Sequence, residues 1–212
     1  MNYLINNSAY VAGLFLQHLQ LTLAVLFFTL LVGIPLGLLL ERIKWLRAPV
    51  LSVLGIIYTI PSLSFFVLLI PLFGLGLIPA IIALTAYAQL LLVRNWLVGL
   101  TGIDPSIIEA ARGMGMNSWQ RFIQVEFPLA LPMLLAGIRL ATLSSIGIGT
   151  IAAFINAGGL GVLLFQGVIT ANYEKILAGA LAVSVLSFAA NYLLAFLERQ
   201  AETAIRGKTT RL

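Results

Sequence analysis

The chain has 212 residues, of which 61% are hydrophobic and only 9% charged, with a mean hydropathy of +1.08. A soluble domain carries roughly a quarter charged residues, so this composition excludes an ordinary water-facing surface and points to lipid as the solvent. It contains no cysteine, one histidine (His18) and seven scattered acidic residues, which excludes a disulfide and argues against a protein-built metal centre.

A membrane-spanning helix needs about 20 apolar residues. Leu19 to Leu40 supplies 22 without a charge. No Lys or Arg precedes Arg42, so the basic region of a cleavable signal is missing and the segment is expected to stay in the membrane. Ala48 to Val93 is a second uncharged stretch, interrupted by Pro71, Gly74, Gly76 and Pro79, which predicts spans at about 50–71 and 78–97. A fourth is expected at about 129–153 and a fifth at 176–197. Between these last two, Val162 to Ile169 is too short to cross, so the segment 155–175 is read as extracytoplasmic, with a dipping or surface helix. The expectation is an all-α integral membrane protein forming a single domain over 1–212, with five transmembrane helices.

Nine basic residues fall in loop 41–47, loop 98–128 and the C-terminal tail (Arg42, Lys44, Arg47, Arg112, Arg121, Arg199, Arg206, Lys208 and Arg211), against Lys175 alone on the other side. The positive-inside rule then places the N-terminus outside and the C-terminus in the cytoplasm. The net charge of +5 is therefore topological, and no nucleic-acid partner is expected.

Loop 98–128 is more than a tether. Asp104-Pro105 is a helix start, with Asp as the cap and Pro in the first turn. Gly113 and Gly115 are expected to end that helix. Asn117 opens a second short helix, with Gln120 at the capping-box position. The hairpin carries Ile107, Ile108, Met114, Met116, Trp119, Phe122 and Ile123, a load of large apolar groups that requires either a protein partner or the membrane interface. The residues alone leave both open.

Glu109-Ala110-Ala111, Gly115 six positions after the Glu, and Val125, Phe127 and Pro128 resemble the EAA loop of ABC importer permeases, with Val125 and Phe127 replacing the usual Ile and Leu. Tyr58-Thr-Ile-Pro-Ser62, Leu131-Pro132, Ala136-Gly-Ile-Arg139 and Ala153-Phe-Ile-Asn-Ala-Gly-Gly-Leu-Gly161 are similar to the osmoprotectant (glycine betaine, carnitine, choline) subfamily, over roughly residues 20–200. Asn156 and Val162 depart from the usual pattern. The resemblance implies a type I importer permease fold, similar to that of methionine permeases. It implies a coupling loop in which Asp104, Glu109, Ala110, Ala111, Gly113, Gly115, Met116 and Pro128 dock on an ATPase. The implied partners are two ATPase subunits, a second permease subunit (the same chain or a different one) and an extracytoplasmic substrate-binding protein. A same-family importer of another small solute, an amino acid or an ergothioneine-like betaine, is the alternative.

Polar and small residues inside the spans suggest a translocation path. Pro61 interrupts the second span, flanked by Tyr58, Thr59, Ser62 and Ser64. Freed carbonyls there need either hydroxyl partners or a water-lined cavity. Gly137, Ala141, Ser145, Gly149 and Ala153 form a small-residue stripe that serves packing within the chain or a subunit interface along the path. Arg139 is a path or gate residue, or snorkels to the cytoplasmic surface. His18 is expected on the surface at the outer interface. No G-x-x-x-x-G-K-[S/T] loop is present, so ATP and Mg belong to the partner ATPase and no cofactor is expected in this chain. A membrane enzyme or a proton-coupled carrier would need acidic groups within the spans, and all seven acidic residues fall outside the expected ones.

Overall fold

Proline and glycine, rather than charge, decide where the helices stop. The structure, a computed structural model, describes Tyr3 and residues 6–209, with side chains to residue 204. Arg206, Lys208 and Arg211 of the basic tail therefore lie outside the described side chains.

Helix α1 (Ser8–Arg42) opens well before Leu19 and absorbs Pro35 in its interior. Its last carbonyls are taken by a side chain from beyond its end: Arg47 donates through Nε to Leu40 O at 2.7 Å and through Nη2 to Glu41 O at 2.8 Å. After a short 3-10 turn (Lys44–Leu46) comes α2 (Arg47–Thr59) and then α3 (Ser62–Phe73). The expected continuous second span at 50–71 is not one helix: the chain bends by 98° between the two pieces. Pro61 lacks an amide hydrogen and its ring disfavours helical geometry in the residue before it. Ile60 is accordingly extended, at φ −63° and ψ 130°. Among the described residues, four helices are long and apolar enough to cross a membrane, and a fifth crossing is made only if α2 and α3 are taken together.

Helix α4 (Leu77–Thr101) agrees with the expected third span. The loop helices are α5 (Pro105–Gly113) and α6 (Ser118–Arg121). A π turn over Phe122–Glu126 then joins α6 to α7 (Phe127–Gly149), so Ser118–Gly149 runs as one rod of 32 residues. Pro128 has no amide to give to the preceding turn, and the Phe127 amide bonds Phe122 O, five residues back. The expected fourth span at 129–153 ends earlier, at Gly149, where the chain tightens into a 3-10 turn (Ile151–Ile155). Helix α8 (Gly161–Ile169) is the expected short piece, and α9 (Tyr173–Thr209) contains the expected fifth span.

Helix α4 is the centre of the fold, packed on α7 and α1 and flanked by α2 and α3, while α9 lies outside against α7 and α8. In lipid, apolar burial alone gives little drive between helices, and close backbone approach decides where they meet. The contact between α1 and α4 illustrates it. Gly33 and Gly37 form a groove on α1 that receives Leu92, Gln89 and Trp96 of α4. Trp96 is fully buried there, its indole N–H donating to Ile34 O at 3.3 Å. A Cβ added to Gly37 would stand 2.2 Å from Trp96 Cδ1.

Candidate functional site

Local sequence builds the loop hairpin at every turn. Asp104 caps α5 by accepting from the Ser106 amide at 2.8 Å, and Pro105 fills the first helical position. The same backbone bond, with the Ser106 side chain, holds the Asp104 carboxyl below the usual carboxylate range. At the other end the Met116 amide bonds Ala111 O at 3.2 Å and the Gly115 amide bonds Arg112 O at 2.9 Å. This is the paired closure of a Schellman turn, which needs a left-handed residue between them. Gly115 supplies it at φ +79°. Of the two glycines expected to end the helix, only Gly115 takes this role, and Gly113 is the last residue of α5. Asn117 and Gln120 then form a reciprocal capping box, with Asn117 Oδ1 accepting from Gln120 N at 2.8 Å and Gln120 Oε1 accepting from Asn117 N at 2.9 Å.

The hairpin buries little of itself. Ala111 is its one buried residue among 105–121, packed inward, while Glu109, Ala110, Arg112 and Gly115 are exposed. Ile107, Met114, Trp119 and Ile123 are exposed large apolar groups, with Met114 at 70% and Trp119 at 69%. Met116 and Pro128 are half-buried. Among the described residues Glu109 forms no ion pair with Arg112. The loop's ion pair is between Arg121 and Glu126.

The Pro61 break carries a polar and aromatic cluster. Thr59 Oγ1 donates to Ile56 O at 2.7 Å, and Tyr87 of α4 donates through its hydroxyl to Ile60 O at 2.6 Å. The Tyr58 and Phe65 rings stand edge-on to Tyr87, with centroids at 5.9 and 5.4 Å. Tyr58, Thr59 and Pro61 are exposed and Ser62 is half-buried.

The small stripe of α7 lies inside this chain: Gly137, Ala141, Ser145 and Gly149 are buried. Gly137 faces Asn95 and Leu92 of α4, and Gly149 faces the His18 ring. The packing role is therefore filled here, within one subunit. Arg139, turned well away from the stripe, meets Glu198 of α9 with Nε 3.2 Å from Oε2, so an acidic residue does answer it across the helices.

His18 is a correction to the surface assignment, since it is completely buried. Because α1 begins at Ser8, His18 lies ten residues inside the helix rather than at its mouth. Gly149 and Gly159, having no side chains, leave the slot that the imidazole fills. Its Nε2 bonds Ile146 O at 3.1 Å and its Nδ1 bonds Leu160 N at 3.3 Å. A carbonyl accepts and an amide donates, which fixes the neutral tautomer with the proton on Nε2. Beside it, Gln17 Oε1 accepts from the Gly159 amide at 3.1 Å. The two α1 side chains thereby hold the glycine loop, which Asn156, Gly158 and Gly159 shape with φ of 63°, 77° and 77°. Asn accepts the left-handed region better than most residues, which explains its departure from a small residue there.

Sequence reading missed Tyr87, the groove at Gly33 and Gly37, and the His18 clamp. The spacing Gly33-x-x-x-Gly37 was a signal for close helix approach. Nothing in the sequence pairs Tyr87 with Ile60 or His18 with Leu160, which meet only after folding.

The binding-protein-dependent transport system inner membrane component family matches residues 33–203. The chain is 42% identical over 199 residues to the osmoprotectant import permease protein OsmW of Salmonella typhimurium, covering 92% of this chain and 93% of that protein. It is 39% identical to the glycine betaine/carnitine/choline transport system permease protein OpuCB of Bacillus subtilis, covering 87% and 85%. Among solved structures, the inward-facing MetNI methionine ABC transporter superposes with a TM-score of 0.79 at 24% identity, over 90% of this chain and 95% of that one, which shows the shared fold.

Proposed function

Since the chain belongs to the binding-protein-dependent transport system inner membrane component family, we propose that it forms half of the path by which an ATP-driven importer carries a small osmoprotectant such as glycine betaine, carnitine or choline. It is a permease subunit of the bacterial cell membrane, with the type I importer fold, and it works with a separate ATPase and a substrate-binding protein. Two permease subunits and two ATPase subunits make up the transporter, with ATP and Mg bound on the ATPases. The N-terminus faces outward and the C-terminus inward. The relatives' names support the cargo class.

The observation that carries the coupling role is the hairpin of α5 and α6. Its two helices start on side-chain caps and the first closes on the Gly115 turn, and it still exposes Ile107, Met114 and Trp119, which a hydrophobic groove on the ATPase would cover. Its coupling residues are Asp104, Glu109, Ala110, Gly113, Gly115, Met116 and Pro128, with Ala111 packed inward to hold the hairpin together. Glu109, having no ion pair with Arg112, is free to meet a basic group of the partner. On ATP binding the two ATPases close, the hairpins move with them, and the spans open to the outside. The cluster of Tyr58, Thr59, Pro61 and Ser62 lies along the path, and Arg139, Ser145 and Gly149 hold the helices that frame it. Cargo contacts need to be weak, because the solute must leave as well as enter.

The test is uptake by the whole transporter in proteoliposomes, with its binding protein, ATP and labelled betaines or amino acids. Uptake of betaines stimulated by the binding protein is expected. Uptake of amino acids in place of betaines overturns the cargo class. Cysteine probes replacing Gly74 should be labelled from outside and probes replacing Asp104 only from inside, and labelling of position 104 in intact cells overturns the orientation.

A further inference from the structure

Beneath the coupling hairpin, between it and the ends of α1 and α4, lies a cavity of about 560 Å³. Leu38 of α1 and Leu100 and Ile103 at the end of α4 give it an apolar floor. Arg42 of α1, Arg112 of α5 and the exposed Trp119 of α6 form its rim.

The charges at this cavity do not cancel. Arg121 and Glu126 also line it and neutralise each other as an ion pair. Arg42 and Arg112 have no carboxylate within ion-pair distance among the described residues. Glu41 is the remaining acidic group in the lining, so two unpaired guanidiniums face one unpaired carboxylate. A guanidinium presents a planar fork of donors that fits two phosphate oxygens at once. An apolar floor beneath such donors, at the membrane border and beside a Trp, suits an amphiphile with a negative head.

We propose that this cavity is a binding site for an anionic phospholipid, whose phosphate lies between Arg42 and Arg112 and whose upper acyl chain covers Leu38, Leu100 and Ile103. Inorganic phosphate would use the guanidiniums but leave the floor uncovered. The ATPase is the less fitting occupant, because two of the three exposed apolar groups assigned to it, Met114 and Ile107, are not in the lining. The lipid joins the end of a membrane helix to the coupling helix, so its presence stiffens the link between them. The proposal is independent of which solute is carried.

The experiment uses the assembled transporter with its ATPase, equilibrated with vesicles of phosphatidylcholine and phosphatidylglycerol and read by native mass spectrometry of retained lipid. Phosphatidylglycerol should be retained over phosphatidylcholine. The double variant Arg42→Gln with Arg112→Gln should reduce that preference by roughly tenfold or more, given the strength of single basic contacts to anionic headgroups. Arg42→Lys with Arg112→Lys should keep most of it, separating lost charge from lost fold, and inorganic phosphate should fail to displace the lipid. Equal retention of both lipids, or a preference unchanged in the Gln variant, overturns the proposal. So does displacement by inorganic phosphate, which marks a free-anion site, or retention only by permease stripped of its ATPase, which assigns the cavity to the ATPase contact.

Discussion

The Tyr87 hydroxyl on α4 donates to the Ile60 carbonyl at 2.6 Å, the carbonyl that the Pro61 break leaves without a helical partner. A side chain 27 positions away thus answers one of the backbone groups that the break frees. Tyr87→Phe keeps the ring and its edge contacts while stranding that carbonyl. It should destabilise the protein by about 1 kcal/mol, since hydrogen bonds between membrane helices are worth about 0.6–2 kcal/mol. The midpoint of thermal unfolding in detergent measures this, and an unchanged midpoint would show that water takes the carbonyl instead.

The contact between Gly37 and Trp96 sets a second test. Gly37→Ala places its methyl carbon 2.2 Å from Trp96 Cδ1, with the indole already fully buried. Overpacking of this kind costs about 1–3 kcal/mol. Adding Trp96→Leu should recover part of the loss, giving a coupling energy between the two sites of about 0.5 kcal/mol or more. Additive losses would mean that the two helices do not meet there.

His18→Ala removes the partners of Ile146 O and Leu160 N together. Each stranded buried group costs about 1–3 kcal/mol. The glycine loop, still tethered by Gln17, should loosen first, so a cysteine at Ala157, now 6% exposed, should react faster with a membrane-impermeant maleimide. Unaltered reactivity would remove the clamp as the loop's anchor.

Gly115 lies in open space, with nothing within 4 Å of a built Cβ, so substitution there is limited by backbone geometry and not by room. Gly115→Asn should therefore retain more uptake than Gly115→Val, while Gly115→Asp, which the backbone tolerates but which sets a carboxylate against the ATPase, should abolish uptake with the spans still inserted. Uptake in proteoliposomes alongside recovery of the ATPase complex decides it. Normal uptake by Gly115→Asp with the ATPase still attached separates the loop from coupling.

The start of the same hairpin should respond to acid. The Asp104 carboxyl is held below the usual carboxylate range, so the stability it contributes is complete above that range and lost as pH falls through the lowered value. A spin label at position 109 should be immobile at neutral pH and loosen in acid, and in Asp104→Ala it should be loose at both. A label equally ordered in the variant would show that the cap does not set the helix.

What could be read in the sequence was what lies close along the chain. Asp104, Pro105, Asn117 and Gln120 announce their caps because each acts within three residues. The places of α4 and α8 follow from mainly apolar runs that open beside Gly76 and Gly161. The second span misled because hydropathy sums composition and is blind to direction. The run is apolar throughout, and only Pro61 records that the chain turns. His18 misled for a related reason: a lone imidazole in an apolar helix reads as a boundary residue until Gly149 and Gly159 are known to face it. The small stripe was visible on α7, but which neighbour it admits depends on the placement of α1 and α4.

The unbroken rod from Ser118 to Gly149 has a mechanical consequence. At about 1.5 Å per residue its 32 residues reach about 48 Å, enough to traverse the bilayer. One end is the hairpin's second helix and the other abuts His18 at the glycine loop. A tilt imposed at the first end would reach the second as along a lever whose softer places are the π turn next to Pro128 and the interior Pro132. Lengthening or shortening the π turn by one residue would rotate everything beyond it by about 100° and point the far end at the wrong neighbour.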